Sequence, residues 1–412
     1  MKNQSKHPLE QVFPFSTETL KEASAILLVP RLKTYFKGRR EYIPSRTPVF
    51  YNPLMTFNRD LAVLAIRVYQ QRIQRSLDVC EPFTGCGVRG IRFSKEVQNV
   101  SHIVLNDLNP QAINLTRFNV ERNGLSEKVT IEQMDAHAFM SSHARPMKRF
   151  NVIDLDPFGS PSPFLDSAVR AIKKGGLLAL TATDMAPLCG VKPSACIRKY
   201  LGKPLRTEYC HEIAVRLLLN SLVLAAAKHS LGVNVFFSHS SDHYIRVYAQ
   251  ILHGARKAND AIGRLGYLVH CFHCLNRRWT IGLSNFPNRT CAICGGKMAV
   301  AGPLWMGNLF DSDFCSAMLE EARSVELGDR RRVLRLLNVI LMEVSGPPTY
   351  YVVDKISKNL GLPGLSKAAL IEKLIEHGYH ATETHFNLRG IRSDAPIDRL
   401  KRFAEDLSIH TP

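Results

Sequence analysis

The chain has 412 residues, 45% hydrophobic and 22% charged, which excludes a disordered polypeptide and exceeds what one hydrophobic core usually organises, so two or three domains are expected. Its 54 lysines and arginines against 36 acidic residues leave a net charge of +18, which points to a polyanionic partner, nucleic acid first. No run of about 18 apolar residues occurs, and the first thirty residues lack a secretory pattern, so a soluble, cytoplasmic protein with no membrane partner is expected.

Residues 1 to 57 read as a basic lead-in punctuated by prolines, with Lys37-Gly38-Arg39-Arg40 as its most basic point. RNA contact and a solvated face both remain open there. From 58 to 75 the spacing of Leu61, Leu64, Ala65 and Val68 predicts an amphipathic helix. Short apolar runs then follow at Leu77 to Cys80, Ile103 to Leu105, Val129 to Ile131, Val152 to Leu155 and Leu177 to Leu180, with helical stretches at Pro110 to Arg122 and Phe164 to Lys173. That alternation predicts a mostly parallel sheet with helices on both faces, whose ligands bind beyond the carboxyl ends of the strands. Val233 to Phe237 and Tyr244 to Ile251, separated by a short polar turn, predict an antiparallel hairpin at the sheet edge.

The turn Glu81-Pro82-Phe83-Thr84-Gly85-Cys86-Gly87-Val88-Arg89-Gly90 follows the first of these strands and leads into a helix near Ile91. Gly85 and Gly87 let the backbone approach a ligand there. Asp107 ends the second strand, twenty residues after Gly87, where a carboxylate accepts hydrogen bonds from ribose hydroxyls. Asp135, past the third strand, has two readings of equal weight: a partner for an adenine amino group, or a helix N-cap. Together these strand ends predict an adenosine-cofactor site.

After the fourth strand comes Ile153-Asp154-Leu155-Asp156-Pro157-Phe158-Gly159-Ser160-Pro161. The tetrapeptide Asp156-Pro157-Phe158-Gly159 resembles the loop of amino-group methyltransferases. The pattern there is Asp or Asn, Pro, a further residue and an aromatic ring, so Phe158 comes one residue early. An exocyclic guanine amine is a poor nucleophile because its lone pair is delocalised into the ring. The Asp156 carboxylate, helped by the Pro157 carbonyl, would accept its hydrogens and localise that lone pair. Pro157 stiffens the turn, Phe158 offers a stacking face to a splayed-out base, and Gly159 leaves room for it.

With these residues in place, the chain resembles the tRNA (guanine(26)-N2)-dimethyltransferase family over most of its length, most specifically at Phe50 to Asp60, Gly87 to Phe93, Ile153 to Pro161 and Thr181 to Cys189. The resemblance implies S-adenosyl-L-methionine as cofactor, tRNA as partner and two successive methyl transfers. It further implies Arg59 and Arg89 as cofactor-binding arginines, Asp107, Asp135 and Ala136 around the adenosine, Asp156 as the catalytic carboxylate, and Phe50 and Phe158 around the target base. Thr181 to Cys189 and Asp242-His243-Tyr244 also look like family segments, without one clear role.

Cys271-Phe272-His273-Cys274 and Cys291-Ala292-Ile293-Cys294 form two C-x-x-C pairs sixteen residues apart, the spacing of a zinc ribbon. Four thiolates close a tetrahedral shell, so Cys271, Cys274, Cys291 and Cys294 are expected to hold a structural Zn2+ that takes no part in catalysis. Arg277, Arg278, Trp279 and Arg289 offer this module an RNA-facing surface, with simple surface charge as the other reading. Helices are predicted around Asp313 to Leu327 and Asp329 to Val344, and from Ser366 to Gly378. Arg330-Arg331-Arg332 fits phosphate contact or a solvated helix face.

The expected fold is therefore α/β: a Rossmann-like class I methyltransferase domain at 58–264 behind a cofactor-covering lead-in at 1–57, an inserted zinc ribbon at 265–302, and a mainly helical, winged-helix-like domain at 303–412 that the resemblance assigns to tRNA contact. No protein partner is implied. Two other functions stay open on the residues alone: amino-group methylation of another nucleic acid, and a non-catalytic RNA-binding protein on a methyltransferase fold.

Overall fold

The computed structural model describes residues 13–37, 41–42 and 46–409. The basic point at Gly38 to Arg40 lies outside the described residues. Short strands flank it, β3 (Phe36–Lys37) and β4 (Glu41–Tyr42).

The central sheet is built from β5 (Leu77–Glu81), β6 (Val100–Asn106), β7 (Val129–Glu132), β8 (Phe150–Leu155), β9 (Ile172–Ala182), β10 (Leu231–Ser241) and β11 (Tyr244–His253), in the order β10-β11-β9-β8-β5-β6-β7. The pairs β5/β6, β5/β8 and β6/β7 are parallel, and β10/β11 is the antiparallel hairpin expected at the edge. From β5 the chain first winds outward through β6 and β7, then returns to place β8 on the other side of β5. The strand order thus reverses between β5 and β8, where open α/β sheets bind their ligands.

The chain forms two compact units, one comprising 1–156, 170–178 and 320–334, the other 157–169, 179–319 and 335–412. In the first, α1 (Thr56–Ile73), α2 (Val88–Glu96), α3 (Pro110–Arg122) and α4 (Ala136–Ser142) accompany the parallel strands. Helix α3 starts where the sequence places it, because the Asn109 side chain accepts from the Gln111 amide and Pro110 needs no amide partner in the first turn. The lead-in holds structure that its composition hides: β1 (Thr17–Glu22) and β2 (Ala25–Pro30) form an antiparallel hairpin with Ala25, Leu27 and Val29 fully buried. Asn119 of α3 fastens it, exchanging two hydrogen bonds with Leu28 (2.7 and 3.0 Å) and donating a third to the Cys86 carbonyl at 2.9 Å.

The predicted helix from Phe164 to Lys173 is shorter than expected, since α5 (Leu165–Ala171) ends before Ile172 and Lys173, which open β9. The reason is tertiary. Lys173 is tied to the sheet, donating to the Asn151 side chain of β8 at 3.1 Å and to Asp78 of β5, and Gly176 packs so closely on β8 that a Cβ there would meet the Asn151 carbonyl at 3.0 Å.

In the second unit α6 (Met185–Leu188), α7 (Pro193–Tyr200), α8 (Cys210–Ala227) and α9 (Ala255–Gly263) join the edge hairpin. Helix α8 is long and apolar enough to cross a membrane, yet 72% of it is buried inside the protein. Its charged residues explain why it is a core helix: Glu212 pairs with Arg216 one turn on and with Arg392, both at 2.8 Å, and Arg392 also donates to Glu343 at 3.0 Å. Burial opposes the Glu212 charge, but Arg392 and then Arg216 outweigh it and hold the carboxyl at about 2. The ribbon follows as a three-stranded sheet of β12 (Leu265–His270), β13 (Arg277–Ile281) and β14 (Ala299–Trp305), with β12 central.

The carboxy-terminal region begins with α10 (Ser312–Ser324) and α11 (Arg330–Glu343). It continues as β15 (Tyr351–Val352), α12 (Val353–Leu360), α13 (Lys367–Glu376), β16 (Ala381–Thr384), β17 (Asn387–Ser393) and α14 (Ile397–Ile409). Three helices packed on a small antiparallel sheet give the wing, and Ser366 caps α13 as its sequence predicts. The sheet is hard to see in the sequence because β15 has only two residues and β16 four.

Candidate active site

The turn after β5 is shaped by two glycines in left-handed conformation, Gly85 (φ 56°) and Gly87 (φ 81°). A Cβ on Gly85 would lie 3.0 Å from the Phe50 carbonyl oxygen, so the 48–50 segment crosses directly over the turn. Asn109 secures that crossing by donating to the Pro48 carbonyl at 2.8 Å.

Asp107 stands at the end of β6, where one carboxylate oxygen accepts from the Gly85 amide at 2.9 Å and the other from the Asn109 amide at 3.0 Å. Burial raises its pKa. Each carboxylate oxygen retains a second lone pair beyond these amides, which is what a ribose diol requires. Asp135 caps α4, one carboxylate oxygen accepting from the His137 and Ala138 amides at 2.9 and 3.1 Å, with Ala136 buried behind it. Sequence reasoning missed Asn106. Fully buried, it bonds the Pro82 carbonyl and both backbone groups of Met134 (3.0–3.1 Å), locking together the three strand ends that carry Gly85, Asp107 and Asp135.

The two arginines are placed differently from each other. Arg59 makes a two-pronged pair with Glu22 of the hairpin, both bonds 2.6 Å, and also donates to the Asn52 carbonyl and the Thr56 hydroxyl. Burial acts against the Glu22 charge, but Arg59 and then Arg92 overcome it and hold that carboxyl at about 2. Arg89 faces the end of β8: its Nη2 donates to Asp156 at 2.6 Å and to the Asn58 side chain at 2.7 Å, while Nη1 lies 3.8 Å from Asp154. Asp156 is thereby fixed just beyond β8, across the strand-order reversal from Gly85 and Gly87. Glu22 and Asn58 are site residues the sequence did not single out; the alternation of Thr17 to Glu22 was the available signal for the first.

Behind Arg89 lies Glu81, which accepts from the Thr84 hydroxyl at 3.0 Å and the Gly90 amide at 3.1 Å. Burial, and then the neighbouring Asp154 charge, raise its pKa from 4.5 to about 8, so it carries a proton at neutral pH. An acid whose pKa is higher folded than unfolded gives stability below the unfolded value that is lost as pH rises through the folded one. Glu81→Gln, which cannot ionise, is therefore expected to gain in melting temperature over the parent as pH rises from 5 to 8, by a few degrees at about 2–4 °C per kcal/mol. A difference that stays constant across that range would contradict the buried proton.

Beyond Asp156 the loop turns through buried Pro157 to Phe158, which is 70% exposed. Gly159 is left-handed (φ 74°) with open space where a Cβ would stand. Thr183 braces this turn twice, accepting from the Gly159 amide at 2.9 Å through its hydroxyl and donating its own amide to the Gly159 carbonyl at 2.8 Å. Next to it, Asp184 binds Lys199 at 2.9 Å and the Tyr200 hydroxyl, and that hydroxyl receives a 2.7 Å bond from Ser160. The Thr181 to Cys189 segment thus acquires the role its sequence left open: it holds the loop.

The four ribbon cysteines converge, with Sγ atoms all within 4.8 Å of one another and the pairs Cys271/Cys294 and Cys274/Cys291 at 3.4 and 3.5 Å. A tetrahedron with Zn–S bonds of about 2.3 Å sets sulfurs roughly 3.8 Å apart, so the donor set fits a zinc ion with little movement. Of the basic residues beside them, Arg277 is buried against Glu208 at 2.8 Å and Arg278 caps the Asn288 and Thr290 carbonyls, so neither is a loose surface charge. In the arginine cluster, Arg330 bonds the Ala322, Arg323 and Val325 carbonyls and Arg332 stacks 4.0 Å over the Phe57 ring, while Arg330 and Arg331 are both exposed.

Comparison with known proteins agrees with this geometry. Residues 27–404 match the family described as N2,N2-dimethylguanosine tRNA methyltransferase. A tRNA (guanine(26)-N(2))-dimethyltransferase of Methanobrevibacter smithii is 40% identical over 366 residues, covering 89% of this chain and 93% of that one. A relative from Aquifex aeolicus, named for guanines 26 and 27, is 33% identical and covers 95% of this chain and 96% of its own. Among solved structures, Trm1 from Pyrococcus horikoshii in complex with S-adenosyl-L-methionine superposes with a TM-score of 0.83 at 34% identity, covering 94% of this chain and 99% of that one. The chain belongs to the N2,N2-dimethylguanosine tRNA methyltransferase family.

Proposed function

We propose that this protein transfers up to two methyl groups from S-adenosyl-L-methionine to the N2 amine of a guanine in tRNA, at position 26 of the RNA. The observation that carries the reading is the Asp156 carboxylate, held by Arg89 at the carboxyl end of β8, opposite the Gly85–Gly87 turn and followed directly by Pro157 and Phe158. A carboxylate locked in this way accepts hydrogen bonds from an amine without first reorganising.

Bound S-adenosyl-L-methionine supplies an electrophilic methyl on a sulfonium. The residues suited to hold it are the Gly85 and Gly87 backbone, Asp107 toward the ribose, and Asp135 with Ala136 near the base. Arg59, already paired with Glu22, fits a role in fastening the covering segment and, through it, the cofactor; Arg89 fits two partners, the cofactor and Asp156. Phe50 and Phe158 provide stacking faces for the guanine. Asp156 and the Pro157 carbonyl accept the two amine hydrogens and turn the nitrogen lone pair toward the methyl carbon. The new N–C bond forms as the S–C electrons return to sulfur, and Asp156 takes the proton the nitrogen releases and passes it to solvent. The mono-methylated amine keeps one hydrogen, enough for Asp156 to align it again for the second transfer.

Incubation with labelled S-adenosylmethionine and an unmodified tRNA transcript, followed by nucleoside mass spectrometry, is expected to yield N2,N2-dimethylguanosine mapping to position 26. A transcript whose guanine at that position is replaced by adenine is expected to stay unlabelled. Absence of methylated guanosine from the first reaction would defeat the proposal. The cytoplasm, where unmodified tRNA occurs, is the compartment this reading implies.

A further inference from the structure

A second cluster shares no residue with those assigned to methyl transfer. Within the second unit a groove of about 620 Å³ is lined by Arg206 and Thr207 ahead of α8, His270 and Phe272 at the first cysteine pair, and Lys355 and Lys358 of α12. Its volume falls in the range, about 300–1,000 Å³, that holds small ligands.

Four observations point to an occupant. Arg206, Lys355 and Lys358 are all exposed, whereas Glu208, an acid on the lining, is bound to Arg277 at 2.8 Å, so the groove presents uncompensated positive charge. Phe272, between two metal-binding cysteines, is 56% exposed and meets the His270 ring edge-on at 4.6 Å, which fixes the ring while leaving much of it open. On the floor, both ring nitrogens of fully buried His270 and the hydroxyl of Thr207 lack a hydrogen-bond partner among the described residues. Finally, the walls are fastened together, since Asn359 of α12 donates to the His273 carbonyl at 2.9 Å.

We propose that this groove binds one splayed-out nucleotide of the substrate tRNA, distinct from the methylated guanine, with its base on Phe272 and its flanking phosphates on Arg206, Lys355 and Lys358. The inference rests on the tRNA reading above. Aromatic rings stack on any base, and phosphates take cations. The structural metal then acquires a second consequence, because it shapes the loop that presents Phe272.

The test uses full-length, metal-loaded protein and an unmodified tRNA transcript. Phe272→Ala is expected to weaken tRNA binding and raise KM about tenfold, with kcat at saturating tRNA and S-adenosylmethionine affinity unchanged, while Phe272→Trp restores both. The Lys355→Ala/Lys358→Ala double variant is expected to lower the slope of log Kd against log salt by roughly two. Tenfold losses with rescue by tryptophan support the groove even if wild-type protein methylates no guanine, in which case the proposed function alone fails. Kd within twofold of wild type for Phe272→Ala, or an unchanged salt slope for the double variant, overturns the groove and leaves the methyltransferase reading standing.

Discussion

Asp156→Ala is expected to lower kcat on unmodified tRNA by roughly 10²–10⁴-fold, the range attributed to a positioned acid–base group, while the dissociation constants for tRNA and S-adenosylmethionine stay within a few-fold. The expectation follows from where the carboxylate is held. Its bond to Arg89 is 2.6 Å, and Arg89 is in turn anchored on Asn58, so the carboxylate is held in place at the strand end. Alanine removes the acceptor for the amine hydrogens and the group that takes the released proton. Asp156→Asn keeps an acceptor but cannot take the proton, and is expected to fall between alanine and wild type. Single-turnover rates with saturating tRNA read the chemical step directly, and thermal melting checks that Arg89, left without Asp156, does not unfold the site. Turnover near wild type in the alanine variant would remove Asp156 from the mechanism.

Loss of metal is expected to have the second largest effect, and on stability. The ribbon's own core consists of Val269, Met298 and Val300 with Cys271, Cys274 and Cys291, so three of its six members are the expected metal ligands themselves. Without an ion these apolar residues are too few to hold the small sheet together. In isolated zinc fingers the metal contributes about 10–16 kcal/mol of apparent folding free energy. Wild-type protein is expected to contain one zinc per chain by elemental analysis. Cys291→Ser, or treatment with a strong chelator, is expected to release it and open residues 271–298 to proteolysis at otherwise protected sites. Far less than one zinc per chain in undamaged wild-type protein, or an unchanged cleavage pattern after its removal, would defeat the structural role.

Much of the catalytic half is legible in the sequence because its signals are local. Helix α3 lies where its residues place it, from Pro110 to Arg122, since the Asn109 cap and Pro110 set its start within two residues of chain. The strands β5 to β8 can be placed because buried parallel strands are short apolar runs ended by turn residues. Glycines at 85 and 87 and the carboxylates Asp107 and Asp156 all follow such runs directly, which is why position along the chain already locates them at one edge of the sheet.

Other features depend on partners far away in sequence. The hairpin Thr17 to Pro30 is hidden in a basic lead-in, because its stability comes from Asn119 and from Glu22 meeting Arg59 and Arg92. Arg277 reads in the sequence as a surface cation beside a metal site, and burial against Glu208, 69 residues earlier, makes it structural instead. The Lys173 end of a predicted helix is strand, where Lys173 bonds Asp78 and Asn151, 95 and 22 residues earlier.

The sequence by itself determined the kind of protein: an α/β sheet with a Gly-rich turn and three carboxylates at strand ends, a four-cysteine module and a positive net charge, all encoded in residue type and short-range spacing. Tertiary structure decided the charge partnerships: that Arg59 closes on Glu22, that Arg89 reaches Asp156, that Glu81 keeps its proton, and that Phe272 stands at the rim of a cationic groove. The physical reason is that electrostatic pairing and desolvation depend on distances through space, which the spacing of residues along a chain does not contain.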